Sequence, residues 1–113
     1  MLIELKNKDM LIIDDFKLKC CVGKNGIKIK KIEGDKSTPS GIFKLGDLYY
    51  RSDRVQKPHT NLKCKKIKKN MGWCNDQFSK FYNKEIIIKK KLKYENLFRK
   101  DYYYNYLILI KYN

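Results

Sequence analysis

The sequence predicts a mainly β protein, and two observations support that fold class. Short stretches alternate apolar with polar residues, as half-buried strands do, and clusters of turn-forming residues separate them. Near the end of the chain, residues 104–112 form a nearly unbroken apolar run of strand length. We therefore expect a β-rich domain with one or two short helices.

The first elements are two short strands followed by a hairpin. Residues 2–5 and 10–13 are joined by a polar turn at residues 7–9. A second turn is predicted at Asn25-Gly26, because these residues accept the positive φ of a type I′ turn. This turn would set Val22 opposite Ile29. The alternating positions on its two sides are Leu18, Cys20 and Val22, then Ile27 and Ile29 with Lys28 and Lys30.

The middle of the chain reads as a loop, a strand and a charged stretch. Residues 33–41 concentrate turn formers between two strand patterns of one small domain, so we expect an ordered loop there. A strand resumes at residues 42–45. Four lysines within residues 65–69 indicate a solvated face or loop.

Two elements are predicted near the end of the chain. Tyr94, Leu97, Phe98 and Asp101 have the spacing of a short amphipathic helix. The apolar run at residues 104–112 indicates a strand covered on both faces and paired on both edges. A central strand so near the last residue fits a complete sheet flanked by the first strands, and it fits equally a domain cut short.

Length and charge limit the organisation and the partners. The chain has 113 residues and a formal net charge of +15, so we expect a single domain over residues 1–113. Lysine is much more frequent than arginine, and the sequence contains no alanine. This bias fits an A/T-rich genome as well as it fits selection for binding a polyanion. The sequence lacks an apolar run long enough for a transmembrane helix, and its start shows no secretory signal.

The cysteines do not have the spacing of a metal site. Cys20, Cys21, Cys64 and Cys74 include no Cys-x-x-Cys pair, and His59 is the only histidine in the sequence. Without a visible export signal, the default compartment is reducing. We therefore predict free thiols, no metal and no cofactor.

Several motifs, in this order, resemble the catalytic domain of L,D-transpeptidases, bacterial enzymes that crosslink peptidoglycan with a cysteine nucleophile. The resemblance runs from about residue 17 to residue 113. The motifs are Val22-Gly23-Lys24-Asn25-Gly26, Glu33-Gly34-Asp35, Thr38-Pro39-x-Gly41-x-Phe43, Tyr50-Arg51-x-Asp53-Arg54, Gly72-Trp73-Cys74-x-Asp76, Tyr82-Asn83 and Glu95-x-Leu97-x-Arg99-x-Asp101.

The resemblance implies a mixed-strand sandwich or incomplete barrel of the L,D-transpeptidase type, and it implies acyl transfer between stem peptides. In the family, a histidine and a Thr-x-Gly-Cys signature follow the strand that matches residues 104–112, and neither occurs in this sequence. The chemistry needs an activated thiol and a base. We therefore expect the N-terminal portion of the family domain, lacking the C-terminal catalytic segment and inactive by itself.

Candidate site residues follow from the motifs. Arg51, Asp53, Arg54 and Trp73 are predicted to bind substrate, the arginines through a stem-peptide carboxylate. The alternative for Arg51, Asp53 and Arg54 is a local ion-pair cluster. A dyad of His59 and Cys74 is the alternative to the missing catalytic pair, and the competing interpretation places Trp73 and Cys74 at the rim of a cleft.

The expected partners are peptidoglycan stem peptides or another anionic cell-wall polymer. A non-catalytic basic module that binds such a polymer is the alternative function. A small nucleic-acid-binding domain, with Tyr102, Tyr103, Tyr104 and Tyr106 stacking on bases, is a weaker interpretation. The resemblance implies the cell envelope or periplasm, whereas a complete chain without an export signal would be cytoplasmic.

Overall fold

The computed structural model describes residues 2–29 and 32–112 and confirms the mainly β class. Within these residues the chain forms eleven strands, no helix and no closed barrel. The strands are β1 (Ile3–Lys6), β2 (Met10–Ile13), β3 (Phe16–Lys19), β4 (Ile27–Lys28), β5 (Thr38–Pro39), β6 (Lys44–Tyr50), β7 (Cys64–Lys66), β8 (Met71–Cys74), β9 (Glu85–Ile87), β10 (Tyr94–Asn96) and β11 (Tyr106–Lys111).

The chain divides into two compact units, Met1–Ile42 and Phe43–Asn113, within the span predicted as one domain. In the described residues of the first unit, β1, β2 and β3 form an antiparallel meander in which Lys6 pairs with Met10. Asn7 and Lys8 both have positive φ, 61° and 73°, which lets the chain reverse within three residues. The two predicted first strands and their polar turn are confirmed.

The predicted hairpin across Asn25-Gly26 is wrong. The β3 strand pairs with β2, and β4 pairs in parallel with β5, so Val22 does not face Ile29 across a hairpin. A turn does form, with the Gly26 N–H donating to the Gly23 carbonyl, but only Gly26 has positive φ (83°) and a type I′ turn needs two such residues. Lys30, included in the predicted hairpin, lies outside the described residues.

The loop at residues 33–41 supplies the hydrogen-bond partners that residues 23–28 would have had within a hairpin. Its backbone bonds to residues 23–28: Thr38 N–H donates to the Gly26 carbonyl, and Thr38 Oγ1 accepts from Gly23 N–H at 2.7 Å. The Asp35 carboxylate accepts from the N–H groups of Ile32 and Ser37, which fixes the loop internally. The pairing between distant segments therefore replaces the local one.

The second unit contains two three-stranded sheets. One has the order β11-β6-β7, with β6 antiparallel to β11 and parallel to β7, and the other has the order β10-β8-β9 with both pairs antiparallel. Tyr49, Ile67 and Leu97 form the buried core. The Tyr49 and Trp73 rings meet edge to face with centroids 6.5 Å apart, and this contact joins the two sheets.

The strand predicted at residues 104–112 is present as β11, but its predicted burial is wrong. Within the described part of the chain β11 pairs only with β6, and the exposed fractions of Tyr106, Ile108 and Ile110 are 49%, 40% and 61%. Leu107 and Leu109 on the other face pack against the core. The apolar run therefore builds an edge strand with one covered face.

The predicted helix around Tyr94, Leu97, Phe98 and Asp101 is also wrong. Residues 94–96 are extended and form β10, which pairs with β8. The Asn96 side chain accepts a hydrogen bond from Phe98 N–H and turns the chain after the strand. The turn places Leu97 in the core, and this burial accounts for an apolar residue at that position without a helix. Arg99 Nη1 still lies 3.9 Å from Glu95 Oε1, as a pair four residues apart would in a helix.

Among the described residues, no helix is long and apolar enough to cross a membrane.

Candidate functional site

A cluster of arginines and aspartates brings two of the family-like motifs together. Arg51 is buried, with an exposed fraction of 3%. Its guanidinium donates two hydrogen bonds to the Asp53 carboxylate, from Nε at 2.9 Å and from Nη2 at 2.8 Å. Its Nη1 donates to the Arg99 carbonyl at 2.6 Å, and its Cζ lies 3.5 Å from the centre of the Phe98 ring. These contacts bury the Arg51 side chain and hold residues 98 and 99 in place.

The neighbouring Arg54 is exposed and, like Arg51, binds backbone carbonyl groups of the segment that follows Phe98. Its guanidinium donates to the carbonyl groups of Lys100 and Asp101, at 3.0 and 2.6 Å. Arg99 in turn forms a forked pair with the Asp101 carboxylate, and a hydrogen bond from Arg99 lowers the pKa of Asp101. The hydrogen bonds from Arg51 lower the pKa of Asp53 likewise. The local ion-pair interpretation describes what these side chains contact.

A cleft of about 550 Å³ lies between the two sheets of the second unit. One wall is the β11 strand, from Leu107 to Lys111, and the other carries Trp73 of β8 and Glu95 of β10. Asp47 of β6 lies at the cleft as well. Two residues from separate family-like motifs, Trp73 and Glu95, thus border one space.

Hydrogen bonds fix the polar side chains of this cleft. Tyr104 O–H donates to Glu95 Oε1, and the Trp73 indole N–H donates to Asn83 Oδ1 at 3.0 Å. Arg99 Nη1 lies 3.9 Å from Glu95 Oε1. The Glu95 carboxylate is therefore held between a phenol and a guanidinium, in an orientation fixed before any ligand arrives.

A second carboxylate network lies beside the cleft. The buried Tyr49 donates to Glu85 Oε1 at 2.6 Å, and Lys65 Nζ lies 3.5 Å from Asp47 and 3.6 Å from Glu85. Burial, the hydrogen bond to Glu85 and the nearby negative charge raise the pKa of Tyr49 far above its ordinary value. Asp47 and Glu85 were not predicted as site residues, and Lys65 was predicted only as part of the solvated lysine run at residues 65–69; the one available signal was a charged residue inside a strand pattern.

The ionisation of Tyr104 gives a direct test of this geometry. Burial first, and then the hydrogen bond to Glu95, raise the pKa of Tyr104 from 10.0 to about 12. We expect alkaline titration, followed by tyrosinate absorbance, to show late ionisation for Tyr104. Since the folded pKa is the higher one, its contribution to stability is complete below pH 10 and is lost as the pH rises toward 12.

Two variants complete the titration. Glu95→Gln should lower the pKa of Tyr104 without restoring its ordinary value, because burial is the largest cause and remains. Glu4→Gln, at an exposed position of β1, removes the same charge elsewhere and should leave the titration unchanged. An unshifted curve for Glu95→Gln would contradict the contact between Tyr104 and Glu95.

The alternative dyad of His59 and Cys74 finds little support in the geometry. Cys74 is completely buried in β8, while His59 is exposed in the connection between β6 and β7. No hydrogen bond or ion pair described in the structure joins the two residues. A thiol without access to solvent cannot reach a peptide carbonyl, so Cys74 acts here as a packing residue.

The other cysteines are free thiols, half-buried at Cys20 and Cys64 and exposed at Cys21. In residues 2–29 and 32–112 no group of three or more histidine, cysteine, aspartate or glutamate side chains could hold a metal ion.

Comparison of the chain with family models, curated proteins and solved structures gives no match.

Proposed function

We propose that this chain is an L,D-transpeptidase-like protein of peptidoglycan crosslinking, and that its cleft holds stem peptides. The observation that carries this proposal is that Trp73 and Glu95, from two separate family-like motifs, border the same cleft as the edge strand β11. Arg51, from a third motif, does not border the cleft but donates a hydrogen bond to the carbonyl of Arg99, which belongs to the same motif as Glu95. Residues of these three motifs are thus connected within the second unit although they are distant in sequence.

The cleft offers the contacts that an extended peptide needs. Every residue from Leu107 to Tyr112 borders it, so the backbone of β11 contributes as well as its side chains. An extended peptide can add to such an edge by main-chain hydrogen bonds. Asp47 and Glu95 place carboxylate oxygens at the cleft that can accept hydrogen bonds from an amine of the peptide, beside the cations Lys65 and Arg99 with which they pair. Trp73 supplies an aromatic wall.

The proposed role of residues 1–113 is binding rather than acyl transfer. In the family a thiolate attacks the donor peptide carbonyl, a D-amino acid leaves, and an acceptor amine takes the acyl group. The sequence contains no Thr-x-Gly-Cys, and Cys74 is buried. We expect no release of terminal D-amino acid from muropeptides. Release that Cys74→Ala abolishes would contradict this and support the dyad.

Co-sedimentation with cell-wall sacculi tests the binding role. We expect the chain to sediment with intact sacculi in moderate salt and to stay in solution when an amidase has removed the stem peptides. Glu95→Gln should weaken sedimentation about tenfold if the carboxylate binds an amine, whereas Glu4→Gln is the control with the same change of charge. Equal sedimentation with and without stem peptides would overturn the proposal.

That last result would favour the second candidate function, a non-catalytic basic module on anionic wall polymer. The observation in its favour is the net charge of +15. Binding by charge alone falls steeply with salt and ignores the stem peptides. For nucleic acid the only specific support is that Tyr102 and Tyr103 are each 77% exposed.

A further inference from the structure

A lysine-rich segment crosses one of the sheets of the second unit. Both β9 and β10 run antiparallel to β8 on its two sides, so residues 88–93, here called the crossover segment, must pass over β8. The passage is close at Gly72, where a Cβ atom would lie 3.1 Å from Ile88 Cγ1 and 3.3 Å from Tyr94 Cδ2. The lysines of the segment are exposed: Lys89, Lys90, Lys91 and Lys93.

A groove of about 490 Å³ lies beside the crossover segment. Its lysine border is residues 89–91, and its apolar lining includes Phe81, Ile87 and Leu92. Phe81 and Ile87 are 41% and 65% exposed. Lysines and two exposed apolar side chains therefore border the same groove.

Negative charge at this face is largely compensated. The groove-lining carboxylate is Glu85, which accepts the hydrogen bond of Tyr49 and lies 3.6 Å from Lys65. Lys80 adds a further positive charge, 5.1 Å from the centre of the Phe81 ring. The groove therefore presents net positive charge around an apolar floor.

We propose that this face docks on an anionic lipid bilayer. A soluble polyanion would engage the lysines but would leave the exposed parts of Phe81 and Ile87 in water. A bilayer surface satisfies both, because anionic headgroups attract lysine and the acyl boundary takes up exposed apolar side chains. The site is separate from the cleft, so the proposal goes beyond stem-peptide binding and does not depend on it.

Vesicle co-sedimentation tests the charge. The intact chain should bind phosphatidylcholine vesicles that contain phosphatidylglycerol and should not bind phosphatidylcholine alone. The combined variant Lys89→Gln, Lys90→Gln and Lys91→Gln should weaken binding by at least about tenfold. The matched control places the same three changes at Lys17, Lys19 and Lys24, exposed residues of the first unit. Equal losses in the two variants would overturn the proposal in favour of general charge attraction.

A second variant, with its own control, distinguishes binding to a membrane from binding to a soluble polyanion. Phe81→Ser with Ile87→Ser changes two exposed side chains of the groove, and unchanged Trp73 fluorescence verifies that the variant is folded. We expect at least about tenfold weaker binding to the anionic vesicles and unchanged binding to inorganic polyphosphate. The control is Ile42→Ser, at a side chain 96% exposed in the first unit. Unchanged vesicle binding by the Phe81 and Ile87 variant would overturn the proposal and identify a polyanion site.

Discussion

Replacing Arg51 with methionine should lower the free energy of unfolding by about 3 kcal/mol. The variant keeps an unbranched apolar stem but loses the hydrogen bond to the Arg99 carbonyl and the contact with the Phe98 ring. The carbonyl loses a charged donor, and the guanidinium–ring contact adds about 1 kcal/mol to the loss. Asp53 contributes less, because its side chain is 51% exposed and can be solvated. Urea denaturation followed by Trp73 fluorescence measures the effect in the second unit.

Lys100→Met is the matched control for Arg51→Met. It removes one positive charge from the adjoining segment, but its side chain is exposed, so we expect a change within about 0.5 kcal/mol. Similar losses for both variants would show that Arg51 acts through net charge alone and that its buried contacts do not hold residues 98 and 99.

Gly23→Ala should destabilise the first unit by about 3 kcal/mol. An added Cβ would lie 2.6 Å from the Lys36 carbonyl oxygen and 2.7 Å from Ser37 Cα. Both are backbone atoms, so relief requires the loop at residues 33–41 to move away from residues 23–28. Hydrogen exchange at the Thr38 amide, which donates to the Gly26 carbonyl, reports this pairing directly and should become markedly faster.

Gly34→Ala is the control that distinguishes the steric clash expected for Gly23→Ala from the general effect of replacing a glycine on the free energy of unfolding. No atom lies within 4 Å of a Cβ at this position, but φ is +83°, so the expected cost is the backbone strain alone, about 1 kcal/mol. If Gly34→Ala proved as damaging as Gly23→Ala, the close approach of the two segments would not be the cause.

The sequence pattern was informative where local structure decides the outcome. The two short, mostly apolar stretches at residues 2–5 and 10–13, with the polar turn between them, predicted β1 and β2. The prediction succeeded because these strands pair with their neighbours in sequence. The hairpin at Asn25-Gly26 failed because the loop carrying Thr38 competes for the same backbone groups. A single sequence shows turn preference but not which distant segment takes the hydrogen bonds.

The same limit applies to burial and to the site. The apolar run of β11 suggested two covered faces, yet Ile108 and Ile110 are exposed because they project from the face opposite Leu107 and Leu109, and the core packs only on the latter. Trp73 was predicted as a site residue and borders the cleft. Asp47 and Glu85 were missed because a lone carboxylate carries no periodic signal, and their proximity to Lys65 exists only after folding.

The strand order of the second unit has a consequence for synthesis on the ribosome. The central strand β6 carries the core residue Tyr49, but its antiparallel partner β11 is the last strand along the chain. At cellular rates of synthesis, the residues between them take roughly three to eleven seconds to emerge. During that interval β6 has β7 as a neighbour but exposes its other edge, so a nascent-chain chaperone has its most useful target there until Leu107 arrives.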